Sequence, residues 1–151
     1  MSIANVLHNS PLIAALLAWT IAQTIKLPIE FFRKGQWNWS LLFTAGGMPS
    51  SHSALVTAVA HAIGLTQGFG SGVYALAIVV AMVVIYDATG IRRQAGRHAE
   101  IINAMVQDMV EGHPLKEEQL RVVLGHSPLE AFVGLLLGLG VAQLTIALWP
   151  A

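Results

Sequence analysis

Residues 73–89, VYALAIVVAMVVIYDAT, carry a single charged side chain, Asp87, close to their end. A run of this length and apolarity is what a helix needs to cross a bilayer. The pattern extends in both directions: residues 1–25, 35–86 and 131–151 hold no charge, and all sixteen Lys, Arg, Asp and Glu lie at 26–34, 87–121 or 130. The hydrophobic set makes up 55% of the 151 residues and the charged set 11%, with a mean hydropathy of +0.65. A soluble domain carries roughly a quarter charged residues, and without them it could not solvate its surface. The chain therefore reads as an all-α integral membrane bundle, one domain over 1–151. At ~20 residues per span it allows about four to five transmembrane helices plus one amphipathic cytoplasmic-side helix.

Several classes drop out at once. Net charge is zero and there is no basic tail, which argues against a nucleic-acid partner. Cysteine is absent, so disulfides, thiolate nucleophiles and cysteine–metal sites are excluded. The first apolar run lacks a positive leader region and reads as a retained helix rather than a cleaved signal.

Along the chain, residues 11–26 form the first expected helix, capped by Asn9–Ser10 with Pro11 in its first turn. A charged segment, 26–34, follows, with Trp37 and Trp39 as interfacial anchors. Residues 41–47 run into the break Gly46–Gly47–Met48–Pro49 and are too short to span; a re-entrant or half helix is the expectation. A helix from Ser51 ends at the glycine-rich turn 66–72, and 73–89 returns across the membrane. Residues 92–112 alternate apolar and polar sides at helical spacing, as in a helix lying on the membrane or covering the bundle. A short polar helix over 115–124 comes next. The last span, from Pro128 to about Trp149, carries Gly134, Gly138 and Gly140 for close packing. With the first helix running inward, all eight Lys and Arg fall on the cytoplasmic side, as the positive-inside rule requires.

That layout brings residues 26–33, 49–52, 87–93 and 125–130 to one membrane face. Two histidines, several arginines, a lysine and a carboxylate in one pocket fit phosphate chemistry. Guanidinium and ammonium groups neutralise phosphate oxygens, and Ser50 and Ser51 open a helix whose free N–H groups suit an anion. One histidine attacks phosphorus while another protonates the leaving oxygen.

These residues resemble the motifs of the phosphatidic acid phosphatase type 2 superfamily, related to acid phosphatases and vanadium-dependent haloperoxidases, and specifically its small divergent branch. The superfamily carries Lys-x6-Arg-Pro, Pro-Ser-Gly-His and Ser-Arg-x5-His-x3-Asp. Here Lys26-x6-Arg33 is followed by Lys34, Pro49-Ser50-Ser51-His52 has Ser for Gly, and His126-x3-Glu130 has Glu for Asp. GGMPSSHSA, YDATGIRRQAG and GHSPLE mark the branch, and the likeness covers nearly the whole chain.

The resemblance implies roles. His126 is the expected nucleophile, forming a phosphohistidine, with Glu130 orienting its ring and His52 as general acid. Lys26, Arg33, Ser50 and Ser51 hold the phosphate. No arginine stands at the expected place before His126, so Arg92 and Arg93 are expected to supply that charge. A weaker framing, Arg92-x5-His98, makes His98 the nucleophile but leaves Ile102 where a carboxylate should be. Asp87 pairs with an arginine or binds a divalent cation such as Mg²⁺; the superfamily's chemistry itself needs neither cofactor nor metal. His61, His8 and His113 read as packing or interfacial residues, and Arg97, Lys116, Glu117, Glu118 and Arg121 as a solvated face.

The expectation is a multi-pass cell-membrane lipid phosphatase that hydrolyses a phosphate monoester or pyrophosphate of a lipid, with its site at the cytoplasmic face. The candidate substrates are phosphatidylglycerophosphate, phosphatidic acid or a polyprenyl phosphate. Its partners are the bilayer and the lipid phosphate, with homo-oligomerisation left open. The rival readings are a non-catalytic lipid- or phosphate-binding protein and a small transporter or scaffold, the latter pointed to by His61 and 41–47.

Overall fold

The computed structural model describes residues 8–42, 46–110 and 125–149, with side chains except at 91–93, 108 and 110. Among the described residues five α-helices follow one another: α1 (Ser10–Lys34), α2 (Ser51–Gln67), α3 (Gly72–Thr89), α4 (Ile91–Val110) and α5 (Pro128–Leu148). A 3₁₀ turn, Trp39–Leu42, follows α1. Among the described residues there is no β-strand. α1, α5 and the run Gly72–Gln107, whose apolar part is α3, are long and apolar enough to cross a membrane. The chain is an integral membrane helical bundle, and α2, with 17 residues, lies at its centre against α1, α3 and α5.

α1 begins as expected, with the Asn9 side chain accepting the Leu12 N–H at 3.1 Å and Pro11 in the first turn. It does not stop near residue 26. The helix continues over Pro28 to Lys34 and is closed by Gly35 in the left-handed region, so the charged segment 26–34 is helix rather than a connecting strap. Proline removes one backbone donor, a loss that membrane helices accommodate. Lys34 and Glu30 pair along the last turn. Trp37 stacks on Phe31 at 4.7 Å and on Trp39 at 6.0 Å, with both indoles exposed. Residues 43–45 lie outside the described residues, and with them the middle of the expected half helix; Leu41 and Leu42 belong to the 3₁₀ turn, and Gly46 and Gly47 to the break before α2.

The bundle is held by small residues. Ala14, Ala18 and Ala22 of α1 meet Ala54, Ala58 and Ala62 of α2 and Ala142 of α5 in one buried cluster. Repeats of four place each trio on one helix face. Leu16, Leu76, Val83 and Leu136, by contrast, point outward. Lipid tails are as apolar as leucine, so such helices associate through close backbone packing rather than by hiding large side chains. Gly134 and Gly138 show how close this is: a Cβ at either would run into the carbonyl oxygen of Ser50 or Ala54 on α2. Gly140, expected to serve the same packing, faces open space. Inside the membrane His61 on α2 meets Gln143 on α5 at 3.1 Å.

α4 departs from one of the two placements expected of it. Among the described residues it packs only against α3, so it does not cover the bundle. Ile101, Ile102, Met105 and Met109 remain exposed. The expected polar helix over 115–124 lies outside the described residues.

Candidate functional site

Three helix ends, the starts of α2 and α5 and the end of α3, meet at one end of the bundle, and two backbone hydrogen bonds hold them there. The Ser50 N–H donates to the Glu130 carbonyl at 2.9 Å, joining the starts of α2 and α5. The His126 N–H donates to the Ala88 carbonyl at 3.0 Å, tying the approach to α5 to the end of α3. The break before α2 is built by glycine, since Gly46 and Gly47 have φ of 112° and 78°, where other residues are strained. That turn lies over α1: a Cβ on Gly47 would come within 3.8 Å of Lys26 Cδ.

Lys26 is only 2% exposed. Its ammonium donates to Gln23 Oε1 at 2.8 Å, while the Gln23 amide donates to the Leu41 and Leu42 carbonyls at 2.9 and 2.8 Å. A buried ammonium needs partners, and besides Gln23 it is attracted by the Glu130 carboxylate across the site. Gln23 is a site residue that the motifs do not name. Its signal in the sequence is a lone amide one turn before the lysine of an otherwise apolar helix.

His126 is 3% exposed. Its Nδ1 lies 3.3 Å from Glu130 Oε2, and its Nε2 is buried with no hydrogen-bond partner among the described residues. Glu130 is itself fixed twice: its Oε2 accepts the Ser127 N–H at 3.0 Å, and its own N–H donates to Ser127 Oγ at 3.3 Å. This capping box starts α5 and sets the carboxylate beside the ring. Burial pushes the His126 pKa below the ordinary imidazole value, the Lys26 and His52 charges push it the same way, and Glu130 opposes them. The ring is thus neutral near pH 7. Because an ionised carboxylate only accepts, the proton belongs on Nδ1 and the lone pair on Nε2.

The half-buried His52 lies in the first turn of α2, its ring centroid 6.0 Å from that of His126 with the planes at 59°. Ser50 and Ser51 are buried beside it. The Ser50 hydroxyl is engaged as the α2 cap, accepting from Ser53 N–H at 3.3 Å and Ser53 Oγ at 3.1 Å. Asp87 is half-buried next to Ala88. Arg33 is exposed, two turns beyond Lys26 on α1. Arg92 and Arg93 occupy the first turn of α4, with side chains outside the described set. His98 is exposed and lines a separate pocket of about 350 Å³ with Tyr86 and Gln94. The histidines brought ring to ring are His52 and His126. Among the described residues no three His, Asp or Glu cluster as a metal site would require.

Comparison with known proteins agrees with the sequence motifs. A membrane protein of Bacillus subtilis, YuiD, described as uncharacterized, is 40% identical over 146 residues, covering 89% of this chain and 92% of its own. No solved structure matches the chain. The family model described as the Divergent PAP2 family matches residues 7–141, and the chain belongs to that family.

Proposed function

We propose that the protein is a membrane lipid phosphatase that works through a phosphohistidine on His126. One observation carries the reading: a buried imidazole whose Nδ1 is held by a carboxylate and whose Nε2 has no partner among the described residues, facing a second imidazole 6.0 Å away. A buried polar atom without a partner is costly, and a phosphoryl group would supply one. In the forward step Nε2 attacks phosphorus, the P–O bond to the lipid alcohol breaks, and His52 gives that oxygen its proton. Water then attacks the phosphohistidine, with His52 taking the proton, and inorganic phosphate leaves. Lys26 balances the phosphate charge, and Glu130 stabilises the positive imidazole that forms. Arg92 and Arg93 are the candidates for the remaining positive charge, and Asp87 for a partner to one of them. The lipid class is that of phosphatidylglycerophosphate, phosphatidic acid or polyprenyl phosphates, hydrolysed at the cytoplasmic face.

The test is phosphate release from these lipids by purified protein in mixed micelles, with acid-labile/base-stable labelling by a radioactive phosphate substrate. Loss of both turnover and label in His126→Ala is expected. Equal rates in the variant and the parent protein would remove His126 as nucleophile. His61, one of the two features behind the transporter reading, is hydrogen-bonded to Gln143 between α2 and α5.

A further inference from the structure

α3 has 18 residues, about 27 Å by helical rise, close to the ~30 Å of a hydrocarbon core. Gly90, which follows it, therefore sits at the head-group boundary on the side of the histidines. There the backbone turns: Gly90 has φ −100° and ψ −80°, away from helical values, and α4 starts at the next residue. Tyr86, Gly90, Gln94, Ala95 and His98 line a hollow of about 350 Å³ in this elbow. On a straight helix Tyr86 and His98 would lie about 18 Å apart along a convex side that forms no hollow. α4 thus leans toward the Tyr86 side of α3. That side is the outer one, since Met82, Val83 and Tyr86 are exposed while Ala81 and Ala88 are buried. The lean also accounts for α4 packing, among the described residues, against no helix but α3.

The two sides of α4 differ in kind. From His98 in the elbow, one stripe continues through Ile102 and Met105 to Met109 at spacings of four, three and four, with Ile101 alongside. All of these are exposed. Arg97, Glu100 and Gln107, also exposed, occupy the other side. The apolar stripe is therefore on the side that the elbow turns toward the outer surface of α3, and the polar side is turned away from it.

We propose that α4 lies on the bilayer beside the bundle, with the Ile102–Met105–Met109 stripe sunk among the lipids of the leaflet that holds the histidine end. The proposal stands independently of the phosphatase reading. Large apolar side chains at the water boundary gain by leaving water, and the nearest apolar phase is the leaflet that already covers the outer side of α3. A second copy in the same membrane approaches sideways, whereas the stripe is turned toward the lipid. Apolar side in, charged side out is the arrangement of an interfacial helix. Held this way, the first turn of α4, with Arg92 and Arg93, stays at head-group height.

The chain has no cysteine, so one introduced thiol carries one nitroxide label. The full chain, in nanodiscs of phosphatidylethanolamine and phosphatidylglycerol, is labelled at Ile102→Cys, Met105→Cys and Met109→Cys, and at Arg97→Cys, Glu100→Cys and Gln107→Cys. All six positions are exposed, so the label needs no repacking. Collisions with oxygen, which concentrates in lipid, and with a water-soluble nickel chelate are read at each. Oxygen should dominate at 102, 105 and 109, at a depth of ~5–10 Å into the head-group/acyl boundary. The nickel chelate should dominate at 97, 100 and 107. Nickel-dominated collisions at all six positions would leave α4 in water and overturn the proposal. Protection from both reagents at 102, 105 and 109 overturns it too: with spin–spin broadening between labels the cover is a second copy, and without it another part of the chain. Should one label disturb the fold, the other two positions on the stripe give the same reading.

Discussion

At the scale of single residues, the site turns on which His126 nitrogen is free. Glu130 on Nδ1 leaves the Nε2 lone pair for attack, and burial keeps the ring neutral by lowering its pKa below the ordinary ~6.5. The sign of the pH dependence follows: turnover persists as pH falls through ~6.5 and is lost only at lower pH, where the ring at last protonates. Glu130→Gln removes the one group that raises this pKa, so the acid limb of the kcat/KM profile should move further down. The same change should lower kcat by at least about tenfold, with the ~10⁴-fold loss of a triad aspartate as the ceiling. A limb that moves up instead would mean that another group titrates. His52 is separable by leaving group: His52→Gln should slow release from a lipid alcohol by ~10²–10⁴-fold. It should slow p-nitrophenyl phosphate far less, since that leaving group departs without a proton. The His126–Glu130 pair was legible because its four-residue spacing survives on any helix start. The second duty of Glu130, in the capping box with Ser127, was also written in Ser127-x-x-Glu130 but lies outside the family motif. Gln23 was not legible as a partner, because only the return of the 3₁₀ turn over α1 gives its amide something to hold.

At the scale of helices, composition revealed the spans and hid one boundary. Charges at 26, 30, 33 and 34 read as a charged segment following a helix that ends at 26, whereas α1 carries all of them in helix, with Lys26 turned into the bundle. Periodicity could not show this, because the reason is tertiary: Gln23 and the Glu130 carboxylate give the ammonium partners inside the bundle. The glycines of α5 are a similar case, identical in sequence and different in place. Gly134→Ala and Gly138→Ala force a methyl against an α2 carbonyl, which backbone cannot yield cheaply. Each should cost about 1–3 kcal/mol of stability, read as a drop in thermal unfolding temperature in detergent. Gly140→Ala meets nothing and should be neutral or slightly stabilising, since alanine is the better helix former. Gly134→Ala should also reduce phosphate release beyond its effect on stability, because Ser50, the residue it would strike, is hydrogen-bonded to Glu130.

At the scale of the whole molecule, the arrangement makes a claim about sides of the membrane. α1, α2, α3 and α5 alternate in direction, so the histidine site, the end of α1 and the start of α4 share one face, and the turn after α2 lies at the other. By the positive-inside rule the expectation for the first face is the cytoplasm. The chain contains no cysteine, so a single introduced thiol reports cleanly on its side. Gly70 in the turn has no atom in its way, and Arg97 on α4 is exposed. In intact cells a membrane-impermeant maleimide should label Gly70→Cys and spare Arg97→Cys, which reacts only after permeabilisation. The reverse pattern would turn the protein over, placing His52 and His126 in the outer leaflet's head-group zone. The substrate would then have to be a lipid phosphate exposed outside the cell rather than one made at the inner surface. Both outcomes keep the helix ends together, because the hydrogen bonds from His126 to Ala88 and from Ser50 to Glu130 do not depend on which way the bundle faces.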